Sequence, residues 1–131
     1  MSPSSLEYLR HVLDEATYLI DQTETLTKEE FMRNETLKRA FVRSLEIIGE
    51  ATKKVSVELR QKHGHIDWRG MAGMRDRLVH DYFGIDYDIV WDAVINKVPL
   101  LHREIRQIIR DESSDRTSSS TNKGADVPGK V

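Results

Sequence analysis

With 131 residues, 38% of them hydrophobic and 32% charged, the chain has material for one small core under a heavily solvated exterior. It has no cysteine, which excludes disulfides and thiolate chemistry, and no apolar run near the roughly 20 residues that cross a bilayer. The net charge of −2 conceals a basic middle, 10 basic against 7 acidic side chains over residues 35–82, so a polyanion partner would have to meet that stretch.

In chain order, Leu6, Leu9, Leu13, Ala16 and Ile20 step by three and four and predict a first helix with Ser4 or Ser5 as N-cap. Thr27 followed by Glu30 has the spacing of a capping box and predicts a short helix over TKEEFMR. A long helix follows, with Leu37, Phe41, Leu45, Ile48, Ala51, Val55 and Leu59 as one stripe, ending before Gly64 in the turn-like HGHIDW. A further helical segment lies between Gly70 and Gly84, its apolar face made by Met71, Met74 and Leu78. Asp86 or Asp88 would cap the last helix, whose stripe is Val90, Val94, Val98, Leu101, Ile105 and Ile108. Pro99 lies inside that stripe and should kink it, because it removes one backbone donor and crowds the preceding turn.

No window alternates with period two for long enough to suggest a sheet. The expectation is an all-α protein, an antiparallel bundle of four to five helices over residues 1–110. Residues 111–131, with five serines and hardly any large apolar side chain, are expected to form a disordered polar tail. The N-terminus carries charges throughout and lacks the apolar stretch of a secretory signal, so a cytoplasmic location without membrane contact is expected.

The chemistry concentrates in Arg75-Asp76-Arg77-Leu78-Val79-His80-Asp81-Tyr82. On a continuous helix Asp76 and His80 are four apart and share a face, so the carboxylate can fix one imidazole tautomer and stabilise its protonated form. Arg75 and Tyr82, seven apart, also share a face. Arg75 and His80 are five apart, about 140° round an ideal helix. Gripping one phosphate between them requires the arginine to curl, the helix to end near His80, or a second subunit to contribute.

Metal-free cleavage of RNA needs a base for the 2′-hydroxyl, an acid for the departing 5′-oxygen and a cation for the charge building on phosphorus. One histidine per chain cannot comfortably be both acid and base. A two-fold homodimer pairing this segment with its mate supplies two histidines and at least two arginines in one cleft. The bland alternative is a solvated helix face with ion pairs such as Arg77 with Asp81.

Arg75-x4-His80-x-Tyr82, with polar Asp76 after the arginine, resembles the signature of the HEPN superfamily of helical ribonucleases. It is most similar to the HepT branch, toxins encoded beside a minimal nucleotidyltransferase antitoxin (MntA). Glu46-Ile47-Ile48-Gly49-Glu50-Ala51, and the run from Ile66-Asp67-Trp68 through Gly70-Met71 into the motif, carry the same resemblance, which spans about residues 5–110. It implies a helical bundle dimerising with the motif at the interface, and metal-independent endoribonuclease activity with no cofactor. On this chain it implies His80 as acid/base group, Arg75 as phosphate-binding group and Asp76 as orienting group. It further implies Tyr82 as the acceptor of AMP from an ATP-using antitoxin. AMP there would block substrate by bulk and by negative charge. The competing reading is a non-catalytic helical module that binds a nucleotide or a protein partner.

Other residues are set aside more readily. His63 and His65 flank Gly64 but lack a third metal ligand, which favours a turn with exposed histidines over a metal site. His11 and His102 read as bundle-edge residues, and Trp68 and Trp91 as core packing around the motif. Glu46 and Glu50 lack the paired Glu-x-x-His pattern of a bundle metal site; Glu50 could instead hold Arg75. Lys53, Lys54, Arg60 and Lys62, with Arg77, are candidate RNA-backbone contacts or an ordinary solvated face.

Overall fold

The computed structural model describes residues 4–80 and 84–126, with side chains for 4–79 and 84–114. Helix α1 (Ser5–Thr23) begins at a capping box in which Ser4 accepts from the Glu7 N–H and Glu7 reaches back to Ser4. Thr27 and Glu30 form a second such box at the start of α2 (Lys28–Arg33). Asn34 caps α3 (Glu35–Lys53) by accepting from the Leu37 N–H. These caps, reciprocal at Ser4 and Thr27, satisfy orphan donors locally, so each start is encoded within four residues.

The long helix expected to reach Leu59 is instead two. Helix α3 stops at Lys53, and α4 (Val57–Lys62) restarts with Ser56 as N-cap. The break is held from three sides. The Ser56 side chain accepts from the Leu59 N–H, its own N–H donates to Ser5 Oγ on α1, and the Arg60 guanidinium donates to the carbonyls of Lys53 and Val55. The stray carbonyls at the end of α3 thus meet a cation, which also suits the helix dipole.

The motif region is similarly shorter than expected. Helices α5 (Trp68–Ala72) and α6 (Met74–Leu78) meet at Gly73, and the chain then turns extended. Strand β1 (Val79–His80) pairs antiparallel with β2 (Gly84–Ile85), Val79 opposite Ile85 and His80 opposite Gly84. Gly84 has φ +99°, a conformation side chains resist, which explains the glycine. Apart from this two-residue ladder the fold is all-α, as expected.

Helix α7 (Tyr87–Asp92) is capped by Asp86, which accepts from the N–H groups of Asp88 and Ile89. It runs through a π turn (Ala93–Lys97) into α8 (Val98–Asp126). The π turn lies just before Pro99, which lacks the N–H to continue the ladder; its last bond runs from the Val98 N–H to the Ala93 carbonyl, five residues back. The expected disturbance at Pro99 takes this form. Val90, Val94 and Val98, each four apart, are all buried across the wider turn.

Helix α1 packs against α3 and α8. Ser5 meets Ser56 just past the end of α3, and Thr17 bonds His102 near the start of α8, so α1 is antiparallel to both. Leu9, Leu19, Phe41, Leu45, Ile48, Ile105 and Ile108 form the shared core, each burial contributing about 1.5–3 kcal/mol. On α1 the deepest positions include Val12 and Leu19, while Leu13 and Ile20 lie at the edge, a rotation from the expected stripe. Phe31 stacks on Phe41 at 4.9 Å and meets Trp91 at 5.2 Å, which ties α2 and α7 to α3.

The boundary expected at residue 111 falls inside α8. Glu112 lies 2.8 Å from His63 Nε2 and 2.9 Å from Lys62 Nζ, so the folded unit continues past residue 110. His63 is accordingly buried rather than an exposed turn residue, and its carbonyl accepts from the Trp68 indole; His65 is exposed. The hydrogen bond from His63, helped by Lys62, outweighs burial and holds the Glu112 carboxyl below its ordinary range. Such a group adds stability that is present above its unfolded value, about 4.3, and lost as pH falls through the folded value. Thermal melts of the wild type and Glu112→Gln should therefore separate at neutral pH and converge in acid. A gap unchanged across that range would refute the linkage.

Candidate active site

The site is built from the contact of α3 with α5 and α6. A Cβ added at Gly49 would stand 3.3 Å from the Ala72 carbonyl oxygen and 3.4 Å from that of Met71, so the glycine permits a close helix–backbone approach. Glu46, one turn earlier on α3, pairs with Arg75 at 3.2 Å between Oε2 and Nε. The acidic partner of Arg75 is therefore Glu46 and not Glu50, which pairs with Lys53 at 3.5 Å instead. Arg75 is 63% exposed at its side chain. A carboxylate on the Nε edge leaves the far edge of the fork directed elsewhere, the geometry by which a guanidinium grips phosphate oxygens.

Met74 and Leu78, i and i+4 on α6, are buried, and this presents Arg75, Asp76 and Arg77 outward. Asp76 and Arg77 face different spaces. Asp76 lines a groove of about 690 Å3 together with Lys53 and Arg60. Arg77 lines a separate cleft of about 320 Å3 whose other wall includes Asn96 and Lys97. Lys54 is exposed and lines neither. Of the basic residues grouped by sequence, Lys53 and Arg60 thus line one concavity and Arg77 another.

Helix α6 ends at Leu78, with Val79 at φ −99°, ψ 126°. The expectation that Asp76 and His80 sit one above the other on a helix does not hold, because His80 lies on β1; the face expected to be shared by Arg75 and Tyr82 falls on Tyr82, outside the described residues. The 140° objection to Arg75 and His80 falls with it, because the backbone changes direction between them. The Asp86 N–H donates to the Leu78 carbonyl at 2.9 Å and fixes that change. The side chain of His80, and Asp81 and Tyr82 entirely, lie outside the described residues.

Sequence reasoning missed Arg69, which joins Lys53, Arg60 and Asp76 in the groove. Nothing in its local context, a lone arginine in a five-residue helix, distinguishes it. The signal for Glu46 was present: it lies three residues before Gly49, on the face that the glycine brings against α5. His102, at the α1–α8 edge as expected, has a pKa lowered by burial and by Arg106. Among the described residues no group of three or more His, Asp or Glu is placed to hold a metal ion. Among them, too, no helix is long and apolar enough to cross a membrane.

A family model described as ribonuclease HepT-like matches residues 12–108. A protein of Caldanaerobacter subterraneus named "Putative RNase" is 44% identical over 105 residues, covering 80% of this chain and 94% of the relative. One of the same name from Methanocaldococcus jannaschii is 44% identical over 112 residues, covering 85% and 93%. A "Probable ribonuclease HepT" of Thermococcus cleftensis is 33% identical over 108 residues, covering 82% and 98%. No solved structure matches.

Proposed function

Because the chain belongs to the ribonuclease HepT-like family, we propose that it is a toxin of a toxin–antitoxin pair, a metal-independent endoribonuclease acting as a homodimer and silenced by adenylylation. The observation that carries the reading is the exposed Arg75 held through Nε by Glu46, immediately before the helix gives way to the strand that bears His80. A guanidinium fixed at its inner edge is preorganised for charge that develops on a phosphoryl group.

In the proposed reaction His80 of one protomer takes the 2′-hydroxyl proton. The 2′-oxygen attacks phosphorus, and the bond to the 5′-oxygen breaks. The partner's histidine donates the proton to that oxygen, leaving a 2′,3′-cyclic phosphate and a 5′-hydroxyl. Arg75 offsets the negative charge on the non-bridging oxygens, and Asp76 orients the site. The antitoxin, a nucleotidyltransferase, is proposed to join the Tyr82 phenolic oxygen to the α-phosphorus of ATP with loss of pyrophosphate. The added phosphate would then occupy the place of substrate.

The deciding experiment incubates the purified chain with RNA in excess EDTA. Cleavage leaving cyclic phosphate ends, abolished by His80→Ala, is expected there; in a separate reaction without chelator, co-incubation with antitoxin, ATP and Mg2+ should add AMP to the wild type but not to Tyr82→Phe. Binding of RNA or of the antitoxin without any cleavage would replace this reading with that of a non-catalytic binding module.

A further inference from the structure

Beside the motif, on the α4–α5 side, lies the groove of about 690 Å3 that Asp76 lines. Lys53 comes from the end of α3, Arg60 from α4 and Arg69 from α5, so cations from three successive elements line one groove. Asp76 is the one carboxylate among the lining residues. Val57, 60% exposed, adds an apolar patch to the wall, beside Trp68.

We infer that this groove is an RNA-backbone track, which seats phosphates flanking the scissile bond while Arg75 takes the scissile phosphate itself. The inference rests on the ribonuclease reading for its substrate class. Several features favour phosphates over another occupant. The excess of cations is local, in a chain whose net charge is −2. Arginine forks and a lysine supply both bidentate and point-charge contacts to phosphate oxygens. Asp76, the residue after Arg75, is part of the groove's wall, so the motif helix itself contributes to the groove. Lys53 meets Glu50 in a long, half-exposed contact at 3.5 Å, a weak pair that a phosphate can displace. Val57 gives a ribose or base an apolar surface to lie on.

The three cations are not equivalent. Arg60 already donates to the carbonyls of Lys53 and Val55, so its loss would also loosen the end of α3. Lys53 and Arg69 are exposed and carry the test. Asp76, negative inside a phosphate track, tempers binding; Asp76→Asn should tighten RNA while slowing cleavage, a split that a merely structural role would not produce.

The test measures binding of the full chain to a single-stranded RNA bearing 2′-O-methyl groups throughout, which cannot be cleaved through its 2′-oxygens. Affinity is followed against salt. Lys53→Gln and Arg69→Gln should each weaken binding and each reduce the log–log salt slope by about 0.7, and together by about twice that. Arg103→Gln, on the exposed side of α8, should leave the slope unchanged. An unchanged slope in the Lys53/Arg69 double variant, or a slope that falls with Arg77→Gln instead, overturns the track. So does a change in oligomeric state in place of a change in RNA affinity, which would make the groove a protein interface. Cleavage of unmodified RNA by the wild type is scored separately. Cleavage with unaltered slopes removes the groove and spares the ribonuclease, whereas altered slopes without cleavage do the reverse.

Discussion

Alanine in place of Arg75 is expected to lower the single-turnover rate of RNA cleavage by about 10²–10³-fold, the cost of removing a preorganised charge from a phosphoryl transition state. Stability should barely move. The arginine side chain is 63% exposed and its pair with Glu46 is partly solvated, so melting should stay within about 1 kcal/mol of wild type. Arg75→Lys should not restore the rate, because an ammonium lacks the second edge that lets Glu46 and phosphate bind together. Glu46→Gln should fall between, lowering the rate while the protein still binds the uncleavable RNA. An Arg75→Ala protein that cleaves at the wild-type rate would end the catalytic assignment.

The opposite pattern is expected for Leu78→Ala. Leu78 is 1% exposed, the last residue of α6, and belongs to the main core. Its truncation removes three carbons from a packed interior and should cost about 2–5 kcal/mol, read as a lowered urea midpoint. Because its carbonyl also accepts from the Asp86 N–H where the chain turns extended, the motif should loosen before the rest unfolds. Hydrogen exchange would show this as faster exchange at Asp86 and Ile85 than in α1. If stability were unchanged, Leu78 would not be the anchor that its burial indicates. Paired with Arg75→Ala, the two variants separate loss of chemistry from loss of the fold.

Much of this architecture can be read along the chain. The two capping boxes at Ser4 and Thr27, the cap at Asp86, and the stripe from Val90 to Ile108 are encoded over a few residues each. Hydrogen bonds to the first turn and the 3.6-residue period act at that range. Met71, Met74 and Leu78 were legible as a buried face for the same reason. The resemblance of the Arg75–Tyr82 segment and the GEA-bearing helix likewise needed no coordinates, and the match over residues 12–108 bears it out.

Where helices stop, and which side chains meet, needed the packed chain. The break between α3 and α4 depends on Ser5, about fifty residues away, and on an arginine folding back over carbonyls. The choice of Glu46 over Glu50 as partner of Arg75 depends on how closely Gly49 lets α5 approach. The division of Asp76 from Arg77, the arrival of Arg69 beside Lys53, and the capture of Glu112 by His63 are likewise meetings between distant elements. Periodicity and capping are local free energies, decided by neighbours in the chain. Charge pairs and grooves are decided by the distances between helix surfaces, which exist only once the core has packed.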